Sequence, residues 1–182
     1  QVLLPSPSQE RMWFFDQLSP GDAEQNIALA LRVYGPLKLE VLKQAFNEIV
    51  RRHESLRTAF VPVDGRPVLE IKAAPSLTIP VIDLRSLPRE AREAEIQRLA
   101  SAEAKQGFEL ARGILLRVTT VQLAENDSAV LITLHHIISD GWSMQVMEDE
   151  FFTLYQAFLQ GWPSPLPELP IQYADYAAWQ RS

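Results

Sequence analysis

The sequence predicts an α+β fold with helices packed on a mainly antiparallel sheet. Two segments pair across turn-like residues as hairpins, around Asp64-Gly65 and around Glu125 to Ser128. Three further segments, Leu39–His53, Pro88–Lys105 and Met144–Phe158, repeat apolar residues at helical spacing. Their order mixes hairpins with helices, which disfavours the strict strand–helix alternation of a parallel sheet.

Ser6 with Gln9 three positions later makes a capping box, and Pro7 fits the first helical position, where its missing N–H is not needed. That helix would turn Met12, Phe15 and Leu18 inward and end at Ser19-Pro20-Gly21. Asn26 to Tyr34 reads as a buried strand closed by Gly35-Pro36. Leu39, Leu42, Phe46, Ile49 and Val50 then mark a helix to His53. Arg57–Val63 and Pro67–Lys72 flank Asp64-Gly65, the strongest short hairpin signal in the chain. Val81–Leu84 suits a short strand. Pro88–Lys105 suits a charged helix with Ile96, Ala100 and Ala104 on one side and an i,i+4 pair between Arg89 and Glu93. Ile114–Leu123 and Ala129–Leu134 form the second hairpin. Met144, Met147, Phe151, Leu154, Tyr155 and Phe158 mark a strongly amphipathic helix. Prolines at 163, 165, 167 and 170 require an extended connector, and a last helix starts near Gln172. The expected division is a subdomain over 1–160 and a connector with the start of a further helix over 161–182.

Composition excludes several classes of function. Among 182 residues, 47% are hydrophobic and 22% charged, ordinary globular usage rather than disorder. The net charge of −6 gives no footprint for nucleic acid or an anionic membrane. With no cysteine, thiolate catalysis, disulfides and Cys-ligated zinc are excluded. The apolar runs are too short to span a bilayer and the start lacks the pattern of a signal peptide, so the default expectation is cytoplasmic. Gln1 in place of an initiator Met suggests excision from a longer chain.

Chemistry concentrates in His135-His136-Ile137-Ile138-Ser139-Asp140-Gly141, which holds two of the three histidines beyond a buried strand. Neighbouring side chains on a strand face opposite sides. Only one imidazole can enter a given cavity, and the other turns into the fold. Gly141 allows close approach of a ligand to the backbone, and the following helix aims its first N–H groups there. From the residues alone the doublet reads as a satisfied core histidine, a metal site with Asp140, or a general base. Metal is disfavoured because opposite-facing rings chelate poorly and no third ligand is near. Ser143 fits a helix cap, and Glu148, Asp149 and Glu150 fit a solvated acidic cluster.

Four motifs narrow this. His135 to Gly141 matches HHxxxDG, and its continuation through Trp142-Ser143 resembles the version found in condensation domains of nonribosomal peptide synthetases. Ser6 to Trp13 is similar to the family's SxAQxRxW, with Ser8 where Ala is usual. Arg52 to Phe60 resembles RHExLRTxF, and Tyr173 to Gln180 resembles YxDYAxWQ. Together they span residues 6 to 180, nearly the whole chain. The resemblance implies a chloramphenicol-acetyltransferase-like subdomain, the amino-terminal half of a two-lobed domain with a tunnel. It implies amide formation between two thioesters on phosphopantetheine arms of upstream and downstream peptidyl carrier proteins, with no cofactor and no metal bound by the domain itself. His136 is the implied catalytic residue, as base or positioning group. His135 and Gly141 support it, and Asp140 is expected to pair with Arg57. His53, Arg52 and Glu54 are expected to be structural. Tyr173, Tyr176 and Trp179 would pack the last helix and help join the carboxy-terminal subdomain. The isolated half is expected to be inactive and prone to self-association through an apolar face. An epimerisation domain of the same superfamily and a silent protein-recruiting module are the competing readings.

Overall fold

The computed structural model describes residues 2–182. Helix α1 (Pro7–Leu18) starts as the sequence predicts. Ser6 Oγ accepts from the Gln9 N–H at 3.3 Å, and Gln9 Oε1 accepts from the Ser6 N–H at 3.0 Å. Its inward face differs from the expectation. Gln9 and Trp13, four apart, are buried, whereas Phe15 and Leu18 are exposed. Met12 packs against the core as expected, but the buried Gln9 and Trp13 rotate the inner face away from Phe15 and Leu18.

Strand β1 (Asn26–Tyr34) is followed by α2 (Leu39–Arg52), whose Leu42, Ala45, Phe46, Ile49 and Val50 are fully inside. A short 3₁₀ turn (Glu54–Arg57) leads to the hairpin β2 (Thr58–Val63) and β3 (Arg66–Ile71). Asp64 and Gly65 both adopt positive φ, 50° and 76°, the left-handed pair that matches the twist of a two-residue hairpin. Next come β4 (Val81–Asp83), α3 (Arg89–Lys105), β5 (Leu116–Ala124) and β6 (Asp127–His135). The second hairpin is tighter than predicted, since Ala124 pairs with Asp127 and only Glu125-Asn126 turn the chain. Asp127 extends the strand because Arg32 on β1 binds its carboxylate, at 2.6 Å for the Nη2 contact to Oδ2. Arg32 also takes Glu93 at 3.0 Å, so the predicted Arg89–Glu93 pair along α3 is replaced by a helix-to-sheet pair. Helices α4 (Gly141–Leu159) and α5 (Tyr173–Gln180) complete the chain.

The main sheet has the order β1-β6-β5-β4. β6 runs antiparallel to both neighbours and β4 parallel to β5, while β2–β3 stands apart. This is the predicted α+β arrangement. β6 is buried along nearly its whole length because both faces are covered. Val130, Ile132 and Leu134 point into the larger core with Phe46 and Leu154 of α2 and α4. Ala129 and Leu131 point the other way, into a smaller core with Ile96 of α3. The two-residue period of a strand thus assigns even-numbered positions to the α2/α4 side. Among the described residues no helix is long and apolar enough to cross a membrane.

Candidate active site

β6 ends at His135, and the next residue breaks away. His135 is buried, beneath an edge-on Phe108 ring 6.2 Å away. Its Nδ1 accepts the Ile137 N–H at 3.0 Å. Burial, with the positive charge His136 would carry as a lesser cause, pulls His135 down to about 4. This ring is neutral at physiological pH and holds the loop from inside.

His136 continues the even-numbered face and is exposed. Its backbone N–H donates to Gln25 O at 2.8 Å, and its Nδ1 lies 2.7 Å from Ser139 O. A carbonyl oxygen can only accept, so Nδ1 carries the proton of this bond. The neutral ring therefore presents an unprotonated Nε2, which has no partner among the described residues. His136 lines a cleft of about 490 Å³ between the loop, α1, α4 and α5. Met12, Met144 and Met147, the chain's three methionines, lie in its walls with Ile137, Tyr173 and Tyr176. An acceptor nitrogen at the edge of an apolar cleft can take a hydrogen bond from an amine and orient it.

Asp140 does not pair with Arg57. Its Oδ1 caps α4, accepting the Ser143 N–H at 2.8 Å and Ser143 Oγ–H at 2.7 Å. Those two bonds, first the backbone one, hold the carboxyl below its usual range. Asp140 is the N-cap and Ser143 its client, the reverse of the predicted role for Ser143. Arg57 donates to Lys72 O at 2.6 Å and to Glu54 at 3.4 Å, tying the β2–β3 hairpin to the end of α2. The cap fixes Asp140 at the helix start, and the hairpin fixes Arg57. Gly141 opens α4, and a Cβ there would meet nothing within 4 Å, so no protein contact demands glycine at this position.

Glu150 is not part of a solvated acidic cluster. Arg52, only 3% exposed, binds it at 3.1 Å, and His53 Nε2 lies 2.8 Å from its other oxygen. Burial pushes the Glu150 carboxyl up, but His53 and Arg52 outweigh it and hold it down at about 2. Arg52 also donates to Pro167 O at 2.8 Å, and Gln172 Nε2 donates to Arg52 O at 2.8 Å. The Arg52-His53-Glu54 segment therefore clamps α2, α4 and the proline-rich connector at the back of the cleft. The position of Glu150 on the Met147/Phe151/Leu154 stripe signalled its inward direction. Gln9 is a second residue absent from the predicted site. Its Nε2 donates to Ile137 O at 3.2 Å, inside the histidine loop. Among the described residues, no three His, Cys, Asp or Glu side chains gather where they could hold a metal ion.

Comparison with known proteins identifies the family. The family model described as "Condensation domain" matches residues 1–182. The chain is 48% identical over 174 residues to one of the linear gramicidin synthase proteins of Brevibacillus parabrevis, covering 96% of this chain and 3% of that protein. It is 41% identical over 176 residues to phosphinothricin tripeptide synthetase PhsC of Streptomyces viridochromogenes, covering 96% of this chain and 16% of that protein. Among solved structures, the X-domain in its complex with OxyB from teicoplanin biosynthesis superposes with a TM-score of 0.84 at 27% identity, covering all of this chain and 38% of that one. The first condensation domain of the CDA synthetase shares the fold at a TM-score of 0.87 and 23% identity, covering 98% of this chain and 45% of that one. With the whole chain matched by one family model, and relatives 48% and 41% identical over 96% of it, this chain belongs to the condensation-domain family.

Proposed function

We propose that this chain is one lobe of a domain that forms amide bonds between carrier-bound thioesters, and that His136 is its reacting-centre residue. The chain spans only 38% to 45% of the X-domain and CDA synthetase chains it superposes on, and 3% of the linear gramicidin synthase protein. The activity is therefore assigned to the complete domain, with residues 161–182 as the passage towards its other lobe and the lobe alone inactive. In this reading the α-amine of a downstream aminoacyl thioester attacks the carbonyl of an upstream aminoacyl or peptidyl thioester. The C–N bond forms, the C–S bond breaks, and the amine's proton ends on the released thiol. Both substrates arrive on phosphopantetheine arms of peptidyl carrier proteins, and the domain binds no cofactor of its own.

One observation carries the assignment: the 2.7 Å bond from His136 Nδ1 to Ser139 O, which leaves Nε2 free at the cleft. An α-amine with a pKa near 8 is already roughly one-tenth neutral at pH 7. General-base help contributes about 10²–10⁴-fold, whereas positioning two tethered reactants reaches effective molarities of about 10⁵–10⁸ M. Orientation of the amine by Nε2 is thus the larger part of the task. His135, Asp140 and Gly141 build the loop, and Arg57 serves the hairpin. The test is amide formation from two loaded carriers by the complete domain, followed by mass spectrometry. His136→Ala should lose at least about 100-fold in rate; near-normal turnover would refute the assignment.

A second reading, recruitment of a partner protein, is favoured by the likeness to the X-domain solved in complex with OxyB. Absence of amide product from the complete domain with His136 intact would favour it.

A further inference from the structure

The histidine loop, residues 136–140, makes few bonds to the rest of the chain. Ile138 N donates to His135 O at the end of β6 at 3.1 Å, and within the loop Ser139 N donates to His136 O at 3.4 Å. His136 N is tied to Gln25 O. The Ile137 carbonyl, in the middle of the turn, is held from outside by Gln9 Nε2 at 3.2 Å. Gln9 is 4% exposed, and its amide has no freedom to flip. Oε1 is committed to the Ser6 N–H, so the NH₂ must face Ile137. The other backbone polar group of this residue, the Ile137 N–H, is taken by His135 Nδ1. Ile137 is therefore gripped on both sides, by α1 through Gln9 and by the sheet through His135. Two residues later, Ser139 O sets the proton on His136.

We propose that Gln9 is a positioning residue for His136: it pins the Ile137 carbonyl so that Ser139 O stays on His136 Nδ1 and Nε2 stays free. The inference rests on the amide-forming reading for its kinetic consequence, but its structural core stands apart from it. Gln9 also lines the cleft, but its part here is played through the Ile137 carbonyl. It acts at two peptide units' remove, and it couples the first motif of the chain to the histidine motif 128 residues away. The capping box and the loop pin are two functions of one side chain, and they can be separated. Glu at this position closes a capping box as Gln does but brings a carboxylate where the N–H donor stood. Gln9→Met keeps an unbranched chain of similar length and removes the donor without adding charge, giving up the acceptor for the Ser6 N–H as well, so the Glu variant is the one that separates the two functions.

The experiment is two-bond ¹H–¹⁵N correlation of the histidine rings in the 182-residue chain at pH 7.5, in the parent and in Gln9→Glu and Gln9→Met, with kcat and KM measured in the complete domain. In the parent, His135 should carry its proton on Nε2 and His136 on Nδ1. Both variants should keep the circular dichroism of the parent, and His136 should pass to an averaged mixture of tautomers while His135 keeps its own. Turnover should fall roughly 10- to 100-fold in kcat with KM little changed, as for a misplaced reacting group. A parent spectrum with the His136 proton on Nε2 overturns the proposal. So does a folded Gln9→Met with the parent's His136 pattern and kcat. Shifted tautomers together with full turnover of His136→Ala would uphold the pin and refute the reaction.

Discussion

His135 and His136 are neighbours with opposite ring chemistry. Nδ1 of His135 accepts the Ile137 N–H at 3.0 Å, whereas Nδ1 of His136 gives its proton to Ser139 O at 2.7 Å. One ring is closed inside the fold and the other opens its Nε2 to the cleft. The alternation of a strand puts them on opposite sides, and the turn after His135 fixes which nitrogen each exposes.

The first consequence concerns acid. His135 ordinarily titrates near 6.5 but is held to about 4 in the fold. The unfolded chain therefore takes up a proton that the folded one rejects, and stability is complete above pH 6.5 and falls as pH drops towards 4. The slope approaches about 1.4 kcal/mol per pH unit. Urea titrations between pH 7.5 and 4 should show it, and His135→Gln should flatten it. An unchanged slope in that variant would place the source elsewhere.

The Arg52–Glu150 pair makes a separate prediction. The Glu150 carboxyl is held down at about 2 against an ordinary 4.5, so its contribution is present above pH 4.5 and disappears as pH falls towards 2. Glu150→Gln leaves the Arg52 charge inside without its counter-ion, at a cost of about 3–5 kcal/mol at pH 7. The same variant should loosen the connector, read as faster hydrogen exchange at residues 166–172. A urea midpoint within error of the parent would contradict the pair's importance.

Asp140→Ala should be mild for the fold. The carboxylate caps α4 and is exposed, so its loss costs about 1 kcal/mol, and Asp140→Asn less. A loss above about 3 kcal/mol would instead indicate a buried charge pair. Thermal unfolding of the chain decides between them.

Gly141→Ala should leave stability unchanged or raise it by up to about 1 kcal/mol, because the added methyl meets open space and alanine favours helix. If the loop backbone is where substrate comes close, the same methyl should impair turnover of the complete domain. Unimpaired turnover would remove Gly141 from the site.

Most of the fold was readable because local signals agreed. Asp64-Gly65 demanded its hairpin, Ser6 and Gln9 their cap, and Leu42 to Val50 their buried face. What stayed hidden was the direction of polar side chains. Phe15 and Leu18 looked like the inner face of α1, but Gln9 is buried there because Ile137 O needs a donor. Glu150 looked solvated beside Glu148 and Asp149 although its place on the Met147/Leu154 stripe pointed inward, and only the approach of α2 shows that Arg52 meets it. The family resemblance suggested Arg57 as the partner of Asp140, and a local cap takes Asp140 instead. The histidines were legible from strand alternation. Their tautomers were not, since these depend on a carbonyl placed by the turn.

The role of His136 is tested most directly by the pH dependence of kcat/KM for amide formation by the complete domain, measured for the parent and for His136→Ala with the same loaded carriers. With His136 at the reacting centre, the variant should lose about 10²–10⁴-fold in rate and its profile should differ in shape from the parent's. Two superimposable profiles of similar height would contradict it.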